Sequence, residues 1–337
     1  MQPDGRTLVR FSAQQKCEVV RKSHERVIQG VLLPGRGWEA DRALTPGTAC
    51  SLIRTQFPRV DAEHVEYLGS GWEFDVYLTG DGWVFRFPRR AEYSTMFERE
   101  SQVHALVAPA LAPLVRVPRI ELWGRPTLEF PYVFAAHRFV PGIRADDAEA
   151  PDSPDLAHGL GQVLGTLHSV PGKEASVAGV PLDLEGSAEW FDETISAAGN
   201  LDGISPVVDS ALRWLRGVRK LPDPYAGPPR LVHNDLCPDH LLVDPDSGRL
   251  IGLIDWTDAS LGDPVLDFIV LATWRGAGFV RSVLESYTPI DPNFIVRLLF
   301  QARLRSLHWL HSAIEQGTDQ EKHLRWVAKA FDPNGSI

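Results

Sequence analysis

The chain has 337 residues, 44% hydrophobic and 23% charged, which suits a two-domain or two-lobed globular protein and excludes a disordered or collagen-like one. Its 44 Asp and Glu outnumber 34 Lys and Arg, and the net charge of -10 argues against nucleic acid as the main partner while suiting a cationic small molecule. Cys17, Cys50 and Cys237 lack CxxC spacing, and neither a signal peptide nor an 18-residue apolar run is present, so the expectation is a cytoplasmic protein without disulfide framework, structural zinc or membrane span.

Residues 1–44 are polar, basic and punctuated by Gly30, Gly35 and Gly37, with a possible helix over Lys16–Leu33; they read as an extension outside the main fold. Thr45-Pro46 is an N-cap followed by a first-turn proline, opening a helix that ends near Phe57-Pro58. Apolar runs with turn signals between them follow: Val65–Leu68 before Gly69-Ser70-Gly71, Phe74–Leu78 before Thr79-Gly80-Asp81-Gly82, and Trp83–Phe87 before Pro88. The Asp81-Gly82 pair marks a hairpin turn and hence antiparallel sheet. Glu92–Val107 reads as one helix stopped before Pro109, and Pro131–Val140 as an extended run stopped by Pro141-Gly142.

Beyond Gly142 the pattern is mainly helical, over Leu156–Val170, Glu189–Ile195, Val207–Val218 and Phe294–Ile314. A strand–turn–strand interrupts it, with Leu241–Val243 and Leu250–Ile254 flanking Asp244-Pro245-Asp246-Ser247-Gly248. The expected fold class is α+β: a small antiparallel-sheet lobe with one helix over 45–140, then a large helical lobe over 141–337 that holds the catalytic loop and substrate site.

The chemistry-bearing residues concentrate between Leu231 and Phe268. The run Leu231-Val232 delivers His233, Asn234 and Asp235 into a loop. His240 follows at the start of the hairpin, and Asp255 comes just after its second strand. The hairpin therefore presents His240 and Asp255 near the Asp235 loop, one base with two possible metal ligands. Metal-assisted phosphoryl transfer needs such a set: a carboxylate to orient the attacking hydroxyl, and hard donors for the cations that hold the phosphates.

These motifs resemble the aminoglycoside phosphotransferase family, relatives of the protein kinases. His233-Asn234-Asp235, four residues, then His240, and later Asp255-Trp256, follow the kinase pattern His-x-Asp, four residues, Asn, then Asp-Phe-Gly. Histidine in the Asn position is similar to the aminoglycoside 2''-phosphotransferases and macrolide phosphotransferases, as is Gly262-Asp263-Pro264 with Asp267-Phe268. The resemblance implies a kinase-like two-lobed fold, Mg²⁺ as cofactor, ATP or GTP as co-substrate and a small-molecule hydroxyl as acceptor. On it, Asp235 is the base, and His240 and Asp255 are metal ligands. His233, Asp263 and Asp267 then brace the loop.

Gly69-Ser70-Gly71, followed by Val76, corresponds to the family's glycine-rich loop, with Phe74 in the place of its third glycine. Trp83-Val84-Phe85-Arg86 occupies the place of V-A-I-K, so Arg86 is the candidate phosphate ligand in place of lysine, with Arg89 and Arg90 as rivals. Glu100 is the expected partner of Arg86, with Glu98 the alternative, and the strand Tyr132–Val140 corresponds to the hinge. The expected acceptor is an aminoglycoside, favoured by the net charge, then a macrolide, favoured by Trp274 and Trp309 as aromatic lining. A metabolic acceptor, a metal-dependent hydrolase and a non-catalytic nucleotide-binding module are the competing readings.

Overall fold

The structure, a computed structural model, describes residues 40–147, 153–183, 187–288 and 290–332. The helix expected over Lys16–Leu33 lies outside the described residues. Helix α1 (Pro46–Gln56) begins as its sequence dictates: Thr45 Oγ1 accepts from the Thr48 N–H, and Pro46 supplies the first turn. A five-stranded sheet follows, formed by β1 (Val65–Ser70), β2 (Phe74–Thr79), β3 (Trp83–Pro88), β4 (Ile120–Gly124) and β5 (Phe134–Arg138) in the order β1-β2-β3-β5-β4. Every neighbouring pair is antiparallel. The hairpin turn at Asp81-Gly82 is present, with Gly82 at φ 84°, a conformation that costs glycine little. Phe85, Phe87, Phe130 and Phe134 are fully buried on one face of the sheet, and Phe87 stacks on Phe134 at 4.5 Å between centroids.

Helix α2 (Met96–Leu111) crosses the opposite face and differs from its expected bounds at both ends. Residues Ala91–Thr95 form a 3₁₀ turn, and α2 continues through Pro109 to Leu111. Pro109 sits in the last turn, where its missing N–H removes one bond, and burial of Val107 and Leu111 holds the turn. Val103, Val107 and Leu111 belong to the main core of the helical lobe, so α2 ties the two lobes together. Strand β4 was not foreseen, because its alternation of half-buried and exposed residues is short and ends on Gly124.

After β6 (Ile143–Arg144), the larger lobe contains α3 (Pro154–Leu167), α4 (Gly172–Val177), α5 (Ser187–Ala197) and α6 (Pro206–Gly217). It continues with β7 (Arg230–Val232), β8 (Leu241–Val243), β9 (Leu250–Leu253) and β10 (Ser260–Gly262). Helices α7 (Leu266–Arg275), α8 (Ala277–Leu284), α9 (Phe294–Gln316) and α10 (Gln320–Ala330) complete it. Pairing of β8 with β9 and of β10 with β7 fixes the positions of the intervening loops. The fold class is α+β in a two-lobed arrangement, with a smaller sheet lobe and a larger helical one. Among the described residues no helix is long and apolar enough to cross a membrane.

Candidate active site

The loop after β7 is pinned from beneath. Asp267, in the first turn of α7 and fully buried, accepts from the Asn234 N–H at 2.7 Å and the His233 N–H at 3.0 Å. His168 Nε2 lies 3.0 Å from the same carboxylate, and its Nδ1 lies 2.8 Å from the Tyr287 hydroxyl. His233 is buried: its Nε2–H donates to Ile254 O at 3.1 Å, its Nδ1 accepts from the Asp235 N–H at 3.3 Å, and its ring packs on Trp256. Burial lowers its pKa and keeps the imidazole neutral, the form those bonds require. Asn234 takes φ 66° and Asp255 φ 62°, both in the left-handed region, and both sit in this site. Such backbone persists only where its surroundings over-determine it.

The carboxylate of Asp235 is held on two sides. The Cys237 thiol donates to Oδ1 at 2.9 Å, and His240 Nδ1 lies 3.3 Å from Oδ2 and 2.9 Å from the Asp235 carbonyl. Burial, then the Asp235 carboxylate, pushes the Cys237 thiol well up in pKa, so it remains a protonated donor. His240 Nε2 faces Asp255 Oδ2 at 3.7 Å. Burial disfavours its protonation, but Asp235 and Asp255 together outweigh that effect and raise its pKa. Burial disfavours the Asp255 charge too, yet Arg86 and His240 hold its pKa down to about 2, helped by the Thr257 hydroxyl that donates to Oδ1 at 2.8 Å. The structure thus brings Asp235, His240 and Asp255 together.

Across the cleft, Arg86 on β3 donates from Nη1 to both oxygens of Glu100 on α2, at 2.6 and 2.7 Å. Glu100 is wholly buried, whereas the alternative Glu98 is exposed. Arg86 Nη2 is buried without a hydrogen-bond partner among the described residues and lies 3.6 Å from Asp255 Oδ1. Phe74, in the place of a third glycine, lies under the guanidinium at 4.2 Å. The rival arginines are occupied elsewhere: Arg89 donates to Gly71 O at 2.6 Å, and Arg90 pairs with Asp41 and Glu92. A cleft of about 1100 Å³ runs between the lobes; Leu68, Val76, Val84, His137, Phe139, Leu242, Ile254, Arg86 and Asp255 are among its walls.

Four expectations are corrected. The Ser70 hydroxyl donates to Asp75 and meets the Tyr67 hydroxyl, so it is committed to the sheet rather than open to a phosphate. Neither it nor Gly69 or Gly71 lines the cleft among the described residues. Asp263 does not touch the Asp235 loop; it caps the Val265 N–H at 3.1 Å and pairs with Arg297 on α9, which also binds Asp291. Trp274 packs on Phe279 with Arg275 over its ring, and Trp309 packs on Trp326, so neither is a free aromatic lining.

Residues 64–294, more than half of the chain, match the family described as Phosphotransferase enzyme family. The chain belongs to that family. This phosphotransferase is 28% identical over 298 residues to the uncharacterized protein YcbJ of Bacillus subtilis (strain 168), a match covering 83% of this chain and 94% of that protein. Its structure superposes on the GDP complex of a wild-type aminoglycoside 2'-phosphotransferase-IIIa with a TM-score of 0.67 and 25% identity, covering 85% and 98% of the two chains. Macrolide 2'-phosphotransferase MphH from Brachybacterium faecium, solved as apoenzyme, matches at a TM-score of 0.57 and 21% identity over 86% and 99%. Sequence reasoning missed His168, Cys237 and His137: His168 meets Asp267 only through packing 99 residues apart, whereas Cys237 and His137 bond to the near neighbours Asp235 and Arg138, contacts that a residue pattern does not announce.

Proposed function

We propose that this phosphotransferase moves the terminal phosphate of a nucleoside triphosphate onto a hydroxyl of a small-molecule acceptor, with Asp235 as the base. The carrying observation is the pinned Asp235, set beside the His240–Asp255 pair and across from the unpartnered Arg86 Nη2. In this reading Asp235 accepts a hydrogen bond from the acceptor hydroxyl and takes its proton as the new oxygen–phosphorus bond forms. The bond between the terminal phosphorus and its bridging oxygen breaks, and the nucleoside diphosphate leaves. Arg86 Nη2 binds a phosphate oxygen, and Glu100 orients Arg86 by occupying both bonds of Nη1.

The donor set fits Mg²⁺. Asp255 offers a hard oxygen, and the His240 Nδ1–H, turned to the Asp235 carbonyl, leaves Nε2, which faces Asp255, as the nitrogen that would ligate the ion on losing its proton. Among the described residues no three His, Cys, Asp or Glu side chains form a complete metal cage, so other oxygen donors would have to join His240 and Asp255 in holding the ion. When bound, Mg²⁺ would neutralise phosphate charge.

An aminoglycoside is the acceptor this reading favours. Three further carboxylates surround the Asp235 loop: Asp183, whose Oδ2 accepts from Asn234 Nδ2 at 3.3 Å, Asp239 beside His240, and Asp258. Burial, then Asp235 and Asp255, pushes Asp258 up to about 6, a crowding of negative charge that an ammonium group relieves. The test is steady-state phosphorylation of kanamycin-type and erythromycin-type acceptors side by side. Turnover of the aminoglycoside alone supports the reading, and turnover of the macrolide alone replaces it. If neither turns over while another small-molecule alcohol does, the acceptor is metabolic and the transfer chemistry stands.

A further inference from the structure

His137 on β5 lines the cleft at the end away from Arg86 and Asp255. Val84 on β3 pairs with His137 in register, and both line the cleft. Paired residues of antiparallel strands point to the same face, and so do residues two apart, so Arg86 and Ala135 form the next pair on that face. The cleft therefore runs from Arg86 and Asp255, where charge collects, to Val84, His137 and Phe139. Leu78 on β2, which pairs with Val84, and Leu242 on the helical side add apolar walls there, a slot suited to a flat heterocycle.

His137 is buried, and its Nδ1 lies 2.9 Å from the Arg138 carbonyl, which can only accept. Nδ1 therefore bears the ring proton. Burial, offset only in part by that bond, lowers the pKa to about 4, so at neutral pH Nε2 is an unprotonated acceptor. We propose that His137 Nε2 reads the six-position of a purine and selects ATP over GTP, because adenine presents an amino donor there and guanine a carbonyl acceptor. This rests on the phosphotransferase reading above and adds the identity of its co-substrate. Two acceptors facing each other in an apolar slot lose a hydrogen bond and repel, which costs about tenfold or more in affinity.

The test is calorimetric binding of Mg-ATP, Mg-GTP and Mg-ITP to the wild type, His137→Leu and His137→Gln. Inosine triphosphate has the six-oxo group without the 2-amino group. The expected wild type binds ATP at least about tenfold more tightly than GTP and ITP alike. In His137→Leu the three affinities converge to within about threefold. His137→Gln, with an amide that both donates and accepts, recovers GTP and ITP while retaining ATP. Wild-type affinity for GTP equal to that for ATP overturns the proposal, as does an unchanged ratio in both variants. ITP that binds like ATP also overturns it, because discrimination then arises at the two-position. If the wild type binds none of the three, the phosphotransferase reading falls as well, so the two failures are distinguishable.

Discussion

The two sides of the cleft are built by different physics. On the helical side, Asp267 holds the Asp235 loop through backbone N–H groups, with His168, His233 and Trp256 packed around it. On the sheet side, Arg86 is held by a buried ion pair with Glu100, and its Nη2, 3.6 Å from Asp255, has no hydrogen-bond partner among the described residues. The first arrangement fixes backbone geometry and uses every polar atom of Asp267. The second fixes one side chain and keeps a donor in reserve. A loop locked by backbone bonds is suited to placing a base; a cation with a spare donor is suited to meeting a mobile ligand.

Breaking the sheet side should cost most. Arg86→Met leaves the Glu100 charge buried and alone, with an expected loss of about 3–5 kcal/mol of stability and of nucleotide binding. The double variant Arg86→Met, Glu100→Leu should recover most of that stability in denaturant titrations but not the binding. Asp267→Ala leaves the His233 and Asn234 N–H groups and a His168 nitrogen without their acceptor. It should cost about 3 kcal/mol, seen as a Tm drop of roughly 10 °C, with turnover falling alongside.

Milder changes sharpen the contrast. Arg86→Lys keeps the charge but loses the fork that serves Glu100 and a phosphate together, so nucleotide KM should rise about tenfold with Tm nearly unchanged. The smallest effect is electrostatic. The folded-state pKa of Asp258, about 6, is raised above its unfolded value, so the folded protein binds more protons and loses stability as pH rises from about 4 to 6. Asp258→Asn should flatten that slope and raise Tm at pH 7.5 only slightly, because the side chain keeps an exposed face although its carboxylate is partly desolvated by the surrounding loop. A Tm unchanged at pH 7.5 and a slope kept in full would contradict the crowding.

The contrast also explains what could be read from the sequence. The loop motif was legible because its residues are close in the chain: His233, Asp235, His240 and Asp255 sit on one strand–loop–hairpin unit, and the hairpin alone brings them together. The pairing of Arg86 with Glu100 followed from the resemblance to the kinase order of strand lysine and helix glutamate, and the face of α2 that Glu100 occupies confirms it over the alternative Glu98. The fate of Ser70 was not legible, because its hydroxyl is taken by Tyr67 and Asp75 across a bulged strand pair. Asp263 was misplaced because its partner Arg297 lies 34 residues away on α9. Strand register for Ser70 and helix packing for Asp263 decide what these short polar side chains meet, and a single sequence records neither.

The most direct measurement is transfer of the terminal phosphate from Mg-ATP to an aminoglycoside acceptor by the wild type and by Asp235→Asn, with nucleotide affinity measured in parallel. The expected result is a phosphorylated acceptor from the wild type and a turnover about 10²–10⁴-fold lower in the variant, with nucleotide affinity nearly intact. Wild-type turnover in Asp235→Asn would contradict the placement of the base at the centre of this site.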